Sequence, residues 1–88
     1  MTKSIHTPEM LCLNRWLRDR RKSQGLTMRE LGGRLGVAHS YVQKVETGER
    51  RLDVVEYVWY CRALEVKPDE GLDVVLKCAE QVAEWGKE

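Results

Sequence analysis

A run of polar side chains between residues 39 and 44 has the clearest capacity for chemistry, and that chemistry is recognition. The amide of Gln43 can bond to adenine, and the ammonium of Lys44 can reach guanine or a phosphate. We therefore expect five residues of this run to contact base edges, namely His39, Ser40, Tyr41, Gln43 and Lys44. Three flanking arginines are expected to contact phosphates, namely Arg29, Arg50 and Arg51. The alternative for each reading residue is simple solvent exposure, and the ring of His39 could instead cap its helix.

Residue types that support catalysis or metal binding are scattered along the chain. His6 and His39 are far apart, no Ser or Cys stands near an evident base, and no carboxylates cluster. No glycine-rich loop has the spacing of a phosphate cradle. We expect no enzyme activity, no catalytic residue, no metal site and no cofactor.

Two short predicted helices must position the polar run. The first begins at Thr27 and Glu30, a Thr-x-x-Glu capping box, and ends at Gly36, which supplies a positive φ. Gly32 stands where the helices would cross and would allow close approach, whereas Gly33 is expected only to weaken its helix. Three valines of the second segment are spaced for burial, namely Val37, Val42 and Val45. Residues 27–47 therefore predict a helix-turn-helix.

This stretch resembles the lambda-repressor-like, Cro/XRE family of DNA-binding domains, and the resemblance extends from about residue 13 to about residue 76. It includes VETGERR at 45–51, similar to the family's exit from the recognition helix, and CRALEV at 61–66, similar to the end of its fourth helix. The resemblance implies a five-helix, all-α domain, double-stranded DNA as partner, and a structural ion pair between Arg21 and Glu46. Two departures are Met28, where Gln is common, and Ala38, where a capping Ser or Thr is common. We therefore expect the start of the reading helix to be ragged or shifted by a residue.

Charge is divided unevenly between the two halves of the chain. Residues 1–51 carry eleven basic and five acidic side chains, a net charge of +6, whereas residues 52–88 carry a net charge of −5. The positive residues flank the proposed reading helix, so one half suits phosphates and the other is kept away from them. No apolar run is long enough for a membrane helix, and no signal peptide is evident, so we expect a cytoplasmic protein.

Three cysteines are far apart and form no Cys-x-x-Cys pair, so neither a disulfide framework nor a zinc site is expected. Cys12 and Cys61 are interpreted as small apolar core residues. The environment of Cys78 is not predicted. On a dimer face, its thiol could form an artificial cross-link.

The remaining helices follow from caps and apolar periodicity. Helices are predicted from Thr7-Pro8 to about Ser23, from Val54 to about Leu64 after an Asp53 cap, and from Pro68 to about residue 85. The fourth should face inward with Val54, Tyr57, Val58, Cys61 and Leu64. For Trp59 and Tyr60 the sequence allows two interpretations, packing in the core or contact with another protein. The outer part of the fifth is expected to pack on a second copy or on helix one, with an interface at Val75, Ala79, Val82 and Trp85.

These observations predict one domain, residues 1–88, that acts as a sequence-specific DNA-binding transcription regulator, in the first instance a repressor, as a homodimer. The alternative is a protein-interaction module that uses the same fold, such as an antitoxin or a restriction-modification controller, with Trp59, Tyr60 and Trp85 contacting a protein partner.

Overall fold

The computed structural model describes residues 7–81, which form five α-helices and, within that range, no strand: α1 (Pro8–Ser23), α2 (Met28–Leu35), α3 (His39–Thr47), α4 (Val54–Leu64) and α5 (Pro68–Gln81). The expected all-α, five-helix architecture is confirmed. The expected continuation of the last helix to about residue 85 lies outside the described residues. None of the five helices has the length and apolar composition needed to cross a membrane, and nowhere in 7–81 do three or more His, Cys, Asp or Glu side chains gather as a metal site would require.

Local capping explains where the helices begin. The Thr7 hydroxyl accepts a hydrogen bond from the Met10 amide at 3.2 Å, and Pro8 occupies the first turn of α1. At α4 the Asp53 carboxylate accepts from the Glu56 amide at 2.7 Å, while the Glu56 carboxylate accepts from the Asp53 amide at 2.9 Å. Both expected caps are therefore present. Each satisfies backbone donors that would otherwise lack a partner in the first turn.

All of the first four helices contribute to one core, whose buried apolar residues are Leu13, Leu17, Leu31, Val42, Val45, Tyr57, Tyr60, Cys61 and Leu64. The prediction for Val54 is wrong, because it is the first residue of α4 and is 78% exposed beyond the end of the core. The structure also assigns Trp59 and Tyr60 to different environments. Tyr60 is 1% exposed and belongs to the core, whereas Trp59 is 57% exposed on the opposite side of α4.

The fifth helix packs along α1 in the opposite direction. Gly71 lies against α1 so closely that a Cβ there would be 2.7 Å from the ring of Trp16, and a disulfide joins Cys12 to Cys78 across a Cα–Cα distance of 6.7 Å. The expectation that Cys12 is only apolar filler, with no disulfide in the chain, is therefore wrong. The antiparallel packing brings together two residues that are 66 positions apart in sequence. Cys61 remains a free, buried thiol as expected.

Candidate nucleic-acid interface

The turn between α2 and α3 depends on two glycines. Gly36 ends α2 with a φ of 74°, in the left-handed region that suits glycine. The Val37 amide donates to the Gly32 carbonyl over 2.9 Å, and a Cβ on Gly32 would lie only 2.8 Å from the Val37 carbonyl oxygen. A Cβ on Gly33 would meet nothing within 4 Å. The interpretation that Gly32 permits close approach, and Gly33 does not, is confirmed.

The first turn of α2 is closed by its predicted capping box. The Glu30 amide donates to the Thr27 hydroxyl at 3.0 Å, and the Thr27 amide donates to the Glu30 carboxylate at 2.8 Å. The hydrogen bond from the Thr27 backbone holds the pKa of the Glu30 carboxyl below its ordinary value. Arg29 lies in this first turn and is exposed to solvent. A phosphate that approaches the N-terminus of α2 would therefore meet this guanidinium.

A bidentate ion pair ties α3 to α1. Nε of Arg21 donates to Oε2 of Glu46 at 2.6 Å, and a terminal nitrogen donates to Oε1 at 3.0 Å. The other terminal nitrogen of Arg21 donates to the Leu26 carbonyl at 2.7 Å, in the loop before α2. The two side chains are 9% and 3% exposed. The hydrogen bond that Arg21 donates to Glu46 holds the pKa of Arg21 above its ordinary value, although burial opposes it. This one pair therefore fixes the position of α3 relative to both α1 and the loop that leads into α2.

The outer face of α3 is polar and accessible. His39, Ser40, Gln43 and Lys44 are all exposed, while Val42 and Val45 on the opposite face are fully buried. Because the inner face is anchored in the core, the four polar side chains project from a rigid support. The structure thus brings these four predicted reading residues onto one surface.

The start of α3 differs from two expectations. Val37, expected inward, is 36% exposed because it lies in the turn before the helix begins. Ala38 occupies the cap position in an extended conformation and makes no side-chain hydrogen bond, yet α3 begins directly after it, at His39. The missing hydroxyl therefore leaves the first turn of α3 without a side-chain cap.

Tyr41 is held differently from the other reading candidates. It is half-buried, packs against the core, and lies beneath the guanidinium of Arg50, whose central carbon is 4.8 Å from the ring centroid. Arg50 also donates to the Glu56 carboxylate at 2.7 Å. Its interactions with Tyr41 and then Glu56 raise the pKa of Arg50 above its ordinary value. Tyr41 therefore helps to position a cation at the edge of the α3 face.

An open groove of about 510 Å³ lies beside this cluster, lined by Ser40, Tyr41, Lys44, Glu49, Arg50 and Arg51. Three of these side chains are cationic and one is anionic. The carboxylate of Glu49 accepts a hydrogen bond from the Thr47 hydroxyl at 3.1 Å. The groove can accommodate an anion next to the exposed face of α3, and Arg50 and Arg51, both expected to contact phosphates, meet there.

Glu56 is the residue of this surface that sequence reasoning missed. The spacing of Asp53 and Glu56 is a capping-box pattern, so its role in starting α4 was readable from the sequence. Its second role, as the partner of Arg50, depends on how the loop after α3 returns to α4. Two of the four residues expected at a dimer interface lie within the described part of the chain. Val75 and Ala79 are half-buried on α5, and Val82 and Trp85 lie outside the described residues.

The chain is similar in sequence and structure to known helix-turn-helix proteins. The sequence pattern of a family described as a helix-turn-helix domain matches residues 13–73. An XRE-family like protein from Pseudomonas syringae pv. tomato has a similar structure, with a TM-score of 0.75 and 36% identity over 84% of this chain and 90% of that one. No match was found among curated proteins.

Two controller proteins of restriction-modification systems are also similar in structure. C.AhdI from Aeromonas hydrophila is 29% identical, with a TM-score of 0.69, over 74% of this chain and 98% of that one. C.Esp1396I, solved as a tetramer with its natural operator, has a TM-score of 0.73 over 83% of this chain and 96% of that one. Its identity is 16%, so it supports the fold alone.

The pattern match and the Pseudomonas relative define the class: the chain belongs to the helix-turn-helix domain family, among its XRE-like members. Proteins of this class are DNA-binding regulators of transcription. The α2–α3 unit is the helix-turn-helix, and the polar face of α3 is the part of it that is displayed to solvent.

Proposed function

We propose that the protein is a sequence-specific regulator that places α3 in the major groove of double-stranded DNA, binds as a homodimer, and represses transcription. The observation that carries this proposal is the division of α3 into a buried apolar face and an exposed polar face beside a cationic groove. A helix of this kind fits the major groove, whose base edges present donors and acceptors. A dimer bound at a promoter represses by occupying the DNA that other proteins need.

We assign different DNA contacts to the exposed side chains. His39 and Ser40 stand in the first turn of α3, the end that enters the groove, and Gln43 and Lys44 follow one turn later. Tyr41 has less freedom because Arg50 lies over its ring, so we assign it contact with a thymine methyl or a phosphate at the edge of the site. Arg29, Arg50 and Arg51 are assigned to phosphates, which set the register of the protein without reading sequence.

Two substitutions separate reading from phosphate binding. An operator would first be selected from random duplexes, and gel shifts at several salt concentrations would then compare Lys44→Ala with Arg50→Ala. We expect Lys44→Ala to relax base preference at one position, at a cost of about 1–3 kcal/mol. Arg50→Ala should weaken all sequences alike and reduce the slope of log affinity against log salt by about 1.

Lys67→Ala provides the matched control, because Lys67 is an exposed cation in the loop between α4 and α5 and does not line the groove beside α3. It should leave both affinity and salt slope unchanged. Equal losses on every DNA for the Lys44 and Arg50 variants would remove Lys44 from the reading role. Failure of the unmodified chain to retain any duplex in dilute buffer would overturn the proposed function.

One short helix can contact only a few bases, so we expect two copies to bind together. Each good bidentate contact contributes only about 1–3 kcal/mol of discrimination, so two half-sites give useful specificity. We expect a pseudo-palindromic operator with half-site centres about 10 base pairs, or a multiple of that, apart. Footprinting that finds one unrepeated half-site would contradict the homodimer.

A second candidate is the control of a restriction-modification system, favoured by the similarity to C.AhdI over nearly the whole of that controller. It requires the same DNA surface and differs in the gene controlled. A protein-binding module of the antitoxin kind has less support, because Tyr60, one of the three aromatic residues expected to contact such a partner, is buried in the core. Gel shifts with promoter fragments of neighbouring genes would distinguish the candidates.

A further inference from the structure

Most of the large exposed apolar side chains among the described residues lie on two helices. Seven large apolar residues of the described range 7–81 are clearly exposed, and five of them lie on α4 and α5, namely Val54, Val55, Trp59, Leu72 and Leu76. Scattered exposed apolar residues are ordinary in a monomer. Exposed apolar side chains that line one face of a helix are typical of a surface that another protein covers.

The outer face of α4 combines apolar groups with one cation. Val55, Trp59 and Arg62 are separated by four and three residues, so they lie along one side of the helix. The core side chains of α4, such as Tyr57 and Cys61, lie on the other side. Arg62 is exposed and forms no ion pair with the residues that the structure describes. We call these three residues the α4 strip.

The outer face of α5 has the opposite charge. Asp69, Leu72, Asp73 and Leu76 follow the i, i+3, i+4, i+7 spacing of a single helix face, and all four are exposed. The side of α5 that carries Gly71 is the one that meets α1. Neither aspartate forms an ion pair within the described part of the chain. We call these four residues the α5 strip.

We propose that the α4 strip of one copy packs on the α5 strip of a second copy, with Arg62 of each copy facing Asp73 of the other. Each strip has apolar side chains for the other, and their unpaired charges are opposite. A two-fold axis satisfies both strips at once, because each copy offers one of each kind. This inference rests on the proposed pairing of two copies, although it does not require DNA. It also moves the interface from the half-buried Val75 and Ala79 to their exposed neighbours.

Charge reversal with rescue tests this pairing. Sedimentation equilibrium of the full chain, without DNA, would compare the unmodified protein with Arg62→Glu, with Asp73→Arg, with an equimolar mixture of the two variants, and with the double variant. Each single reversal brings like charges together and should weaken self-association by about tenfold or more. The mixture should recover it, because a dimer of the two variants has one contact in which Glu faces Arg and one unmodified contact between Arg62 and Asp73. The double variant should recover it as well, because Glu then faces Arg in both of its contacts.

Lys22→Glu is the matched control, since it reverses an exposed charge in the last turn of α1, a helix that contributes to neither strip. It should pair like the unmodified protein, and circular dichroism would verify that every variant is folded. An unmodified chain that stays monomeric, single reversals that pair normally, or a mixture that fails to recover would each overturn the inference.

The same set of proteins separates this inference from the proposed function. Lys44→Ala should form dimers normally while its DNA preference changes. A chain that binds DNA specifically, but whose pairing ignores Arg62 and Asp73, would refute the interface and leave the reading role of α3 intact. Loss of DNA binding with normal rescue of pairing would do the reverse.

Discussion

The outer face of α3 and the outer faces of α4 and α5 contrast in composition. The α3 face carries amide, hydroxyl and cationic groups, whereas the other faces combine large apolar side chains with a few charges, namely Trp59, Leu72 and Leu76 with Arg62, Asp69 and Asp73. Polar donors retain water until a specific acceptor replaces it, while exposed apolar area favours burial by another surface. The two faces therefore suit different partners, a nucleic acid for one and a protein for the other.

The two regions also differ in how they are attached to α1. The helix-turn-helix is joined to α1 through the Arg21–Glu46 ion pair and the core valines of α3. The fifth helix is joined to α1 through the close contact at Gly71 and the Cys12–Cys78 disulfide. One attachment depends on buried charge and the other on covalent chemistry, so they can be disrupted separately. Substitutions in one attachment should therefore leave the other attachment intact.

Glu46→Ala should have the largest effect, because it leaves the buried guanidinium of Arg21 without its counter-ion. We expect a loss of about 3–5 kcal/mol in the free energy of unfolding, measured by urea denaturation. DNA binding should fall with it, since α3 loses its fixed position. A double variant, Arg21→Met with Glu46→Leu, should regain much of the stability because no unpaired charge remains. A loss below about 1 kcal/mol for Glu46→Ala would show that the pair is effectively exposed.

Removal of the disulfide by Cys12→Ser should cost about 2–4 kcal/mol under oxidising conditions, since the cross-link closes a long loop. Thermal unfolding with and without a reductant would measure the loss. The reductant should lower the stability of the unmodified protein and have no further effect on the variant, which is its own control. If α3 is attached independently, base preference should be unchanged at temperatures where the variant is folded.

Gly32→Ala should have a smaller effect, about 1–3 kcal/mol, because its Cβ would be forced against the Val37 carbonyl and the turn would have to shift. Gly33→Ala is the matched control in the same helix. It meets open space, so it should stabilise α2 by about 0.5–1 kcal/mol. Urea unfolding and gel shift of both variants would test whether the angle of α3 is set here. Equal stability changes for the two substitutions would contradict this.

Much of the helix-turn-helix was predictable from short-range patterns. The capping box at Thr27 and Glu30, the glycine that ends α2, and the distinction between Gly32 and Gly33 all depend on residues within one or two turns. The ion-pair expectation for Arg21 and Glu46 came from the family resemblance, because 25 positions separate the two residues. Errors occurred at helix ends, where periodicity alone assigned Val37 and Val54 to the core.

Long-range features were harder to predict for a physical reason. Whether Trp59 or Tyr60 enters the core depends on which side of α4 meets the other helices, and adjacent residues on a helix differ by about 100° in direction. The partner of Arg50 is Glu56, in a capping box whose sequence pattern says nothing of an arginine six residues earlier. Both outcomes depend on how α4 packs against the rest of the fold.

The amino-acid sequence by itself determined the five helices, the glycine-jointed turn and the polar face of α3, since capping, left-handed glycines and apolar spacing act within a few residues. Only the tertiary structure decided that Cys12 meets Cys78, that Arg50 lies over Tyr41, and that Leu72 and Leu76 remain uncovered. These outcomes depend on how whole helices pack. Packing brings together side chains whose separation along the chain carries no information about their distance in space.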